Sequence, residues 1–180
     1  GTDAGNYIVN TTATTTASVS ALGITGNITA NNKTYDATTA ATLNTRTLSG
    51  VLGTDTVTYT GGTATFANKN AGTGKTVTAT GLGLTGTDAG NYTVNTTATT
   101  TANISALAIT GGVTAANKTY DATTAATLNS RTLSGVLGTD TVTYTGGTAT
   151  FDTKNAGTGK TVTATGLRLT GTDAGNYTVN

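Results

Sequence analysis

The 180-residue sequence is defined first by the residue types that are missing from it. It has no cysteine, histidine, proline, methionine or tryptophan, and neither glutamate nor glutamine occurs. Without cysteine, no disulfide and no thiolate metal site can stabilise the fold. Without histidine and cysteine, the usual nucleophile–base pairs and most zinc and copper sites are excluded as well. We therefore predict that the protein is not an enzyme and has no catalytic, cofactor-binding or metal-binding residues.

Charge and long apolar runs are also scarce. Lysine and arginine together number 9, the 8 acidic residues are all aspartate, and the net charge is +1. This balance provides no attraction to nucleic acid or to an anionic membrane, so neither is predicted as a partner. No apolar run is nearly as long as a membrane helix, which needs about 20 residues, and no signal peptide is recognisable. Because the chain opens in the middle of a repeated motif, we expect it to be a segment of a longer protein.

Threonine, with 53 residues, and glycine, with 25, dominate a sequence that repeats itself. Gly1–Tyr7 recurs as Gly86–Tyr92 and, with the same spacing, as Gly171–Tyr177. Residues 1–85 and 86–170 are identical at 74 positions and differ at 11. A period of 85 residues exceeds a solenoid coil of about 20–50 residues and suits whole small domains in tandem. Such copies usually supply length or many weak contacts, whereas a catalytic centre is needed once.

Alternation of apolar residues with threonine predicts β-strands. The clearest case flanks Gly61-Gly62, a pair that is typical of a two-residue hairpin turn. In that hairpin Thr60 pairs with Thr63, and one face is apolar while threonine lines the other. We expect the same hairpin at 140–151. Its apolar face consists of Val57, Tyr59, Ala64 and Phe66, with Val142, Tyr144 and Phe151 in the copy.

Six or seven strands in about 85 residues predict an all-β fold of tandem small β-sandwich (Ig-like) domains arranged as a rod. Further strands are expected at 24–30, 41–48, 75–84, 91–95 and 96–104. 

The predicted domain boundaries fall at Ser20–Ile24 and its copy. Residues 1–20 are then the C-terminal strands of a preceding repeat, 21–105 a complete β-sandwich repeat, and 106–180 a second repeat that lacks its final strand. No Pro-rich or Gly/Ser-rich linker separates the units, so we expect a stiff junction.

Three motifs occur in the same order along the repeat: residues 33–42 with their copy 118–127, residues 50–55, and residues 86–94. Together they resemble the YDG-type repeat of large bacterial surface proteins, as found in filamentous-haemagglutinin-like adhesins exported by two-partner secretion. Ala37 and Ala122 stand where that family usually has the glycine of Tyr-Asp-Gly. The resemblance implies an extracellular stalk on the bacterial surface, made of tandem β domains, and transfers no catalytic residue.

The function predicted from these features is structural. We expect a repeat of the stalk or filament of a bacterial cell-surface or secreted adhesin, which extends a distal functional region. Its partners are the neighbouring repeats, with like chains in a fibre and host or matrix glycans as further candidates. The alternative is a repeated carbohydrate- or ice-binding β module, suggested by threonine ladders such as Thr76, Thr78 and Thr80. The twist of a sandwich sheet opposes a match to ice.

Several local motifs admit a structural and a chemical interpretation. Tyr35-Asp36 is expected to be a turn capped by the aspartate, with the ring on the sandwich edge, rather than a ligand site. Residues 86–91 are expected to form a turn, since one carboxylate is too few for a strong calcium site. Residues 72–76 resemble part of a phosphate loop, but Lys69 replaces its first glycine and a strand follows. 

Two covalent modifications stay open. A Lys–Asn or Lys–Asp isopeptide crosslink could use Lys33, Lys69 or Lys75, with an aspartate as the acid. Glycosylation could use some of the Asn-x-Ser/Thr triplets. These begin at Asn10, Asn27, Asn32, Asn91, Asn95, Asn103, Asn117 and Asn176.

Overall fold

The computed structural model describes all 180 residues, and the fold is all-β, as predicted. The strands are β1 (Leu22–Ala30), β2 (Lys33–Thr34), β3 (Ala40–Ala41), β4 (Leu43–Ser49), β5 (Thr58–Phe66), β6 (Gly72–Thr85), β7 (Tyr92–Val94), β8 (Thr97–Ser105), β9 (Leu107–Ala115), β10 (Ala125–Ala126), β11 (Leu128–Ser134), β12 (Thr143–Phe151), β13 (Val162–Thr170) and β14 (Tyr177–Val179). Three short 3-10 turns, Ala4–Asn6, Ala89–Asn91 and Ala174–Asn176, are the only helical segments, so none could cross a membrane.

The strands form four sheets, two in each repeat. In the first repeat (residues 22–105) the sheet orders are β4-β1-β7 and β2-β8-β6-β5-β3, and in the second (residues 107–179) they are β11-β9-β14 and β10-β12-β13. No strand pairing joins the two repeats, and only Ala106 separates β8 from β9. The change from one repeat to the next is therefore abrupt.

The two repeats differ at one sheet edge. In the first, β6 pairs on one side with β5 and on the other with β8. In the second, β13 pairs only with β12, and its other edge is open. Without the outer partner, β13 begins at Val162, whereas β6 already begins at Gly72, which corresponds to Gly157.

The predicted hairpin at Gly61-Gly62 is wrong, because both glycines lie inside the continuous strand β5. Strand β5 pairs with β6 instead, so that Tyr59 faces Leu84 and Phe66 faces Val77. The chain reverses later, in the segment 67–71, and the copy β12 is continuous in the same way. The expected pairing of Thr60 with Thr63 is therefore wrong as well.

Gly61 and Gly62 change which face of β5 is buried. Their φ angles are +75° and +86°, and they lie opposite Gly81 at +75°. Tyr59 is buried before the pair and Ala64 after it, an odd separation that strict alternation would not allow. The positive φ that suggested a turn serves here to change the side-chain face, since glycine adopts it without steric cost.

The burial expected for this segment is largely confirmed. Tyr59, Ala64, Phe66 and Tyr144 are buried, while Thr58 and Thr65 are exposed. Val57, Val142 and Phe151 are only half-buried.

The hydrophobic core draws on both sheets of the first repeat. Ile28 comes from the three-stranded sheet, whereas Phe66, Val77 and Ile104 come from the five-stranded one. Ile28 is on β1, where Gly26 makes room for a neighbouring ring: a Cβ there would overlap the ring of Tyr59. The same buried cluster continues into the second repeat through Ile109 and Tyr177, so the two repeats share part of one core.

Candidate functional site at the repeat junction

The junction between the repeats contains a buried cluster of polar side chains around Asp140. Tyr35 follows β2, whose parallel pairing with β8 is extended by a hydrogen bond from the Tyr35 amide to the Ser105 carbonyl (2.8 Å). This places the tyrosine at the end of the first repeat, where β8 leads into β9. Its side chain is only 2% exposed, because the second repeat covers it.

A single buried carboxylate, Asp140, receives hydrogen bonds from both repeats. Its Oδ2 accepts from the hydroxyl groups of Tyr35 and Tyr177, each at 2.6 Å, and its Oδ1 accepts from Nζ of Lys69 at 2.8 Å. The side chain of Asp140 is 4% exposed. A buried charge is stable only when it is paired and hydrogen-bonded, and here the first repeat supplies two of the three donors.

The charges of this cluster are set by its contacts. Hydrogen bonds from Lys69 and then from the two tyrosines lower the pKa of Asp140 to about 2. The same contact with Asp140 raises the pKa of Lys69 above its ordinary value. Burial, reinforced by the bond to Asp140, raises the pKa of Tyr177 to about 12. Near neutral pH the cluster therefore holds an ion pair and two protonated phenols, which are the states that these hydrogen bonds require.

A second set of contacts surrounds this cluster. The Ala71 amide donates to Oδ1 of Asn176 (2.8 Å), and Nζ of Lys69 lies 3.8 Å from a carboxylate oxygen of Asp173. The rings of Tyr35 and Tyr177 meet edge to face, with centroids 5.4 Å apart. The motif Gly171–Tyr177 was predicted to be a turn, and it is one, but its role as a docking surface was missed. The recurrence of the same motif in every copy was the one available signal.

Each repeat carries both halves of this junction. We call Asp140, Asp173, Asn176 and Tyr177 the acceptor face of the second repeat; the corresponding residues of the first are Asp55, Asp88, Asn91 and Tyr92. We call Tyr35, Lys69 and Ala71 the donor face of the first repeat; the corresponding residues of the second are Tyr120, Lys154 and Ala156.

The outer faces are built in the same way but are free. Tyr92 donates to Oδ2 of Asp55 at 2.6 Å, just as Tyr177 donates to Asp140. Asn91 is exposed, whereas Asn176 is buried. Tyr120 is 58% exposed, in contrast to Tyr35. The chain thus contains one closed junction and two unpaired halves.

The turn after Tyr35 is capped as predicted. Oδ1 of Asp36 accepts from the Thr38 amide at 2.9 Å and from Nζ of Lys33 at 2.7 Å. Ala37, between them, has a φ of +62°. The expected packing of the tyrosine ring holds for Tyr35 and is wrong for its exposed copy Tyr120.

Replacing Ala37 by glycine is expected to stabilise the protein by about 1 kcal/mol, because an L-residue in the left-handed region costs about 1–2 kcal/mol and glycine does not incur this cost. Chemical denaturation would measure the change. As the control, Ala67→Gly removes the same methyl group at an exposed residue without a positive φ and should be destabilising. Equal destabilisation by both variants would contradict the argument.

The ion pair of Lys69 and Asp140 does not favour an isopeptide crosslink. Amide formation needs a neutral amine and a protonated carboxyl group, and both pKa shifts stabilise the opposite states. The other two candidate lysines also contact a side chain of the required type, since Lys33 pairs with Asp36 and Lys75 donates to Asn68. Both of these partners are exposed to solvent.

The remaining candidate sites have structural roles. Gly72–Thr76, the partial phosphate-loop motif, lies within β6, and the Gly74 amide donates to Oδ1 of Asn103 (2.8 Å). Asp88, the carboxylate weighed for calcium, accepts from the Thr56 amide at 2.8 Å. No group of three or more acidic side chains suited to a metal ion is found.

Comparison with known proteins identifies the family. No curated protein and no solved structure matches the chain. The profile of the YDG domain matches twice, at residues 15–102 and 101–180, and so covers most of the chain. Each match contains one copy of the Lys-Thr-Tyr-Asp turn that supplies the junction tyrosine. The chain belongs to the YDG domain family.

Proposed function

We propose that the chain is a structural segment of the stalk or filament of a bacterial cell-surface or secreted adhesin of the filamentous-haemagglutinin-like class. In this proposal, small Ig-like β-sandwich domains stack as an extracellular rod and extend a distal functional region. The observation that carries it is the closed junction around Asp140, which ties two successive repeats together through buried, directional contacts.

The junction has the features that resist bending. One residue, Ala106, links β8 to β9, so the connection has almost no slack. Two of the three hydrogen bonds that Asp140 accepts cross the junction, from Tyr35 and from Lys69. The buried one, from Tyr35 to the charged carboxylate, is worth about 1.5–3 kcal/mol. The hydrophobic cluster also continues across the junction through Ile109 and Tyr177. Bending would break these contacts together.

The free faces support a longer rod. Because Asp55 and Tyr92 repeat the arrangement of Asp140 and Tyr177, a preceding repeat can form the same junction at one end. Tyr120 and Lys154 offer the matching donors at the other. Identical junctions impose the same rotation and rise at every step, which yields a straight or regularly twisted rod.

Small-angle X-ray scattering of dilute protein tests the stiffness. The wild-type chain should fit a single arrangement of the two repeats, and Tyr35→Ala should broaden the inter-repeat distances. Tyr120→Ala makes the same change on the free donor face and should scatter like the wild type. A wild-type distribution as broad as that of Tyr35→Ala would rule out the rod.

A second candidate function rests on the threonine surface of the five-stranded sheet. Cross-strand rows such as Thr63–Thr80–Thr97 are mainly exposed, and Thr65–Thr78–Thr99 lies beside them. Rows of hydroxyl groups about 4.8 Å apart can order water or bind sugar hydroxyls. A thermal-hysteresis measurement and a glycan array test these two activities, and a negative result in both would eliminate this candidate.

A further inference from the structure

Two arginine side chains meet beside Gly146 in the second repeat. Nε of Arg131, on β11, donates to the Gly146 carbonyl at 2.8 Å. Arg168, on β13, approaches the same glycine, since a Cβ added to Gly146 would lie 3.1 Å from Nη1 of Arg168. Both arginines are exposed, and neither is paired with a carboxylate of the chain. Two like charges are therefore held beside one glycine without a protein counterion, which is electrostatically unfavourable.

The first repeat contains only half of this arrangement. Arg46 makes the equivalent hydrogen bond to the Gly61 carbonyl, also at 2.8 Å. The position of Arg168, however, is occupied by Gly83. A Cβ added to Gly83 would have no neighbour within 4 Å, although β8 completes that sheet. The side chain of Arg168 therefore extends from a part of the surface that stays open when a repeat has all of its strands.

Arg168 also lies beside a hydroxyl group that has no partner. Thr145 is directly opposite Arg168 in the pairing of β12 with β13, so the two side chains share one face. Oγ1 of Thr145 is buried without a hydrogen bond, and it is the only such side-chain atom in the chain. Its counterpart Thr60, which faces Gly83, has no such buried hydroxyl. The arginine thus covers a polar group that is unfavourable to bury unless it finds a partner.

We propose that Arg131, Arg168 and the hydroxyl group of Thr145 bind a doubly charged oxyanion, namely a phosphate or sulfate group. Nε of Arg131 is engaged by the Gly146 carbonyl, which leaves its two terminal nitrogens for the ligand. Planar guanidinium groups hold such oxyanions through pairs of parallel hydrogen bonds. The ligand draws Arg168 off the sheet surface, and the uncovered hydroxyl of Thr145 donates to one of its oxygens. This site is independent of the proposed stacking of repeats.

Charge selects the class of ligand. Guanidinium groups are always protonated in proteins, so the two arginines together carry about two positive charges. A phosphate monoester carries a charge of about −1.5 to −2 at pH 7, and inorganic sulfate is likewise a dianion. A carboxylate group carries a single charge and would leave one of the two arginines uncompensated.

Titration of the full chain with sodium sulfate at constant ionic strength, followed by nuclear magnetic resonance, tests the site. Saturable shifts are expected for the Gly146 amide and for Nε of Arg168. Arg168→Gly, which restores the residue of the first repeat, should weaken binding about tenfold or more, because it removes charge-assisted hydrogen bonds. Thr145→Val should also weaken binding, although deleting the unpartnered hydroxyl stabilises the free protein. Lys154→Ala removes a positive charge from an exposed, unpaired lysine of the same repeat and should bind like the wild type.

The first repeat allows the site to be built as well as removed. Gly83→Arg places a second guanidinium group beside Arg46 and should create a new site that shifts the Gly61 amide. Glycerol phosphate, titrated in parallel, separates the two sources: tighter binding than sulfate assigns the site to an organic phosphate ester, and weaker binding assigns it to a sulfate group. Acetate should bind about tenfold more weakly than sulfate. The absence of saturable shifts with both dianions, an equal loss in Lys154→Ala, acetate binding as tight as that of sulfate, or no new site in Gly83→Arg would each overturn the proposal.

Discussion

Replacing Phe66 by alanine is expected to lower the free energy of unfolding by about 3–5 kcal/mol, the usual cost of deleting a buried aromatic ring. The ring is 3% exposed and lies in the cluster that contains Val77 and Ile104. A domain this small buries only about 60–65% of its unfolded surface, so it has few other contacts to offset the loss. Denaturant unfolding followed by circular dichroism would measure it.

The second repeat offers a matched control. Phe151 occupies the corresponding position after the same preceding residues, although Asp152 follows it where Ala67 follows Phe66. It lines a cavity beside the open edge of β13 and is only half-buried. Phe151→Ala should therefore cost about half as much as Phe66→Ala. Equal costs would mean that β8 does not contribute to the burial of Phe66, contrary to the structure.

Replacing Asp140 by alanine is expected to have the second large effect, lowering the free energy of unfolding by about 2–4 kcal/mol. The substitution leaves the hydroxyl groups of Tyr35 and Tyr177 without their shared acceptor, and each buried unsatisfied donor costs about 1–3 kcal/mol. Asp55→Ala removes the equivalent carboxylate from the free acceptor face, where only Tyr92 donates to it through a hydroxyl group. The difference between the two variants measures the contribution of the junction, and no difference would contradict it.

The effect of Asp140→Ala should depend on pH. Because the folded pKa of Asp140 is lowered to about 2, its stabilisation is present above the unfolded pKa of about 3.9 and is lost as the pH falls towards 2. The raised pKa of Lys69 affects stability at high pH. The stabilisation by Lys69 is complete below its unfolded pKa of about 10.4 and is lost as the pH rises above that value. The full difference in the free energy of unfolding between Asp140→Ala and the wild type is therefore expected at pH 7, and a much smaller difference is expected at pH 2.

Strand positions and much of the burial could be predicted from local sequence. The alternation of threonine with apolar residues predicted the clean part of β6 and nearly all of β8, because a strand directs successive side chains to opposite faces. Tyr59 and Phe66 were also correctly predicted to be buried, but from the hairpin at Gly61-Gly62, which is wrong. Alternation alone would place residues at this odd separation on opposite faces. The capped turn at Asp36 follows from the short range of its hydrogen bonds.

The role of Gly61-Gly62 could not be predicted from its own residues. A positive φ permits either a reversal of the chain or a change of face within a strand, and both leave alternating residues on each side. The choice is made by β6, whose Gly81 lies opposite the pair and whose Val77 pairs with Phe66. A partner strand about twenty residues away therefore decided what the local signal meant.

The existence of two nearly identical β repeats follows from the sequence, because the alternation of residue types and the period of 85 residues are visible along the chain itself. Which copy of a residue lies in the junction depends on the tertiary structure. Tyr35 and Tyr120 have the same neighbours in sequence, yet one is 2% exposed and the other 58%. The difference arises because a second repeat covers only the first of them, and its Asp140 supplies the acceptor that makes burial of the hydroxyl group favourable.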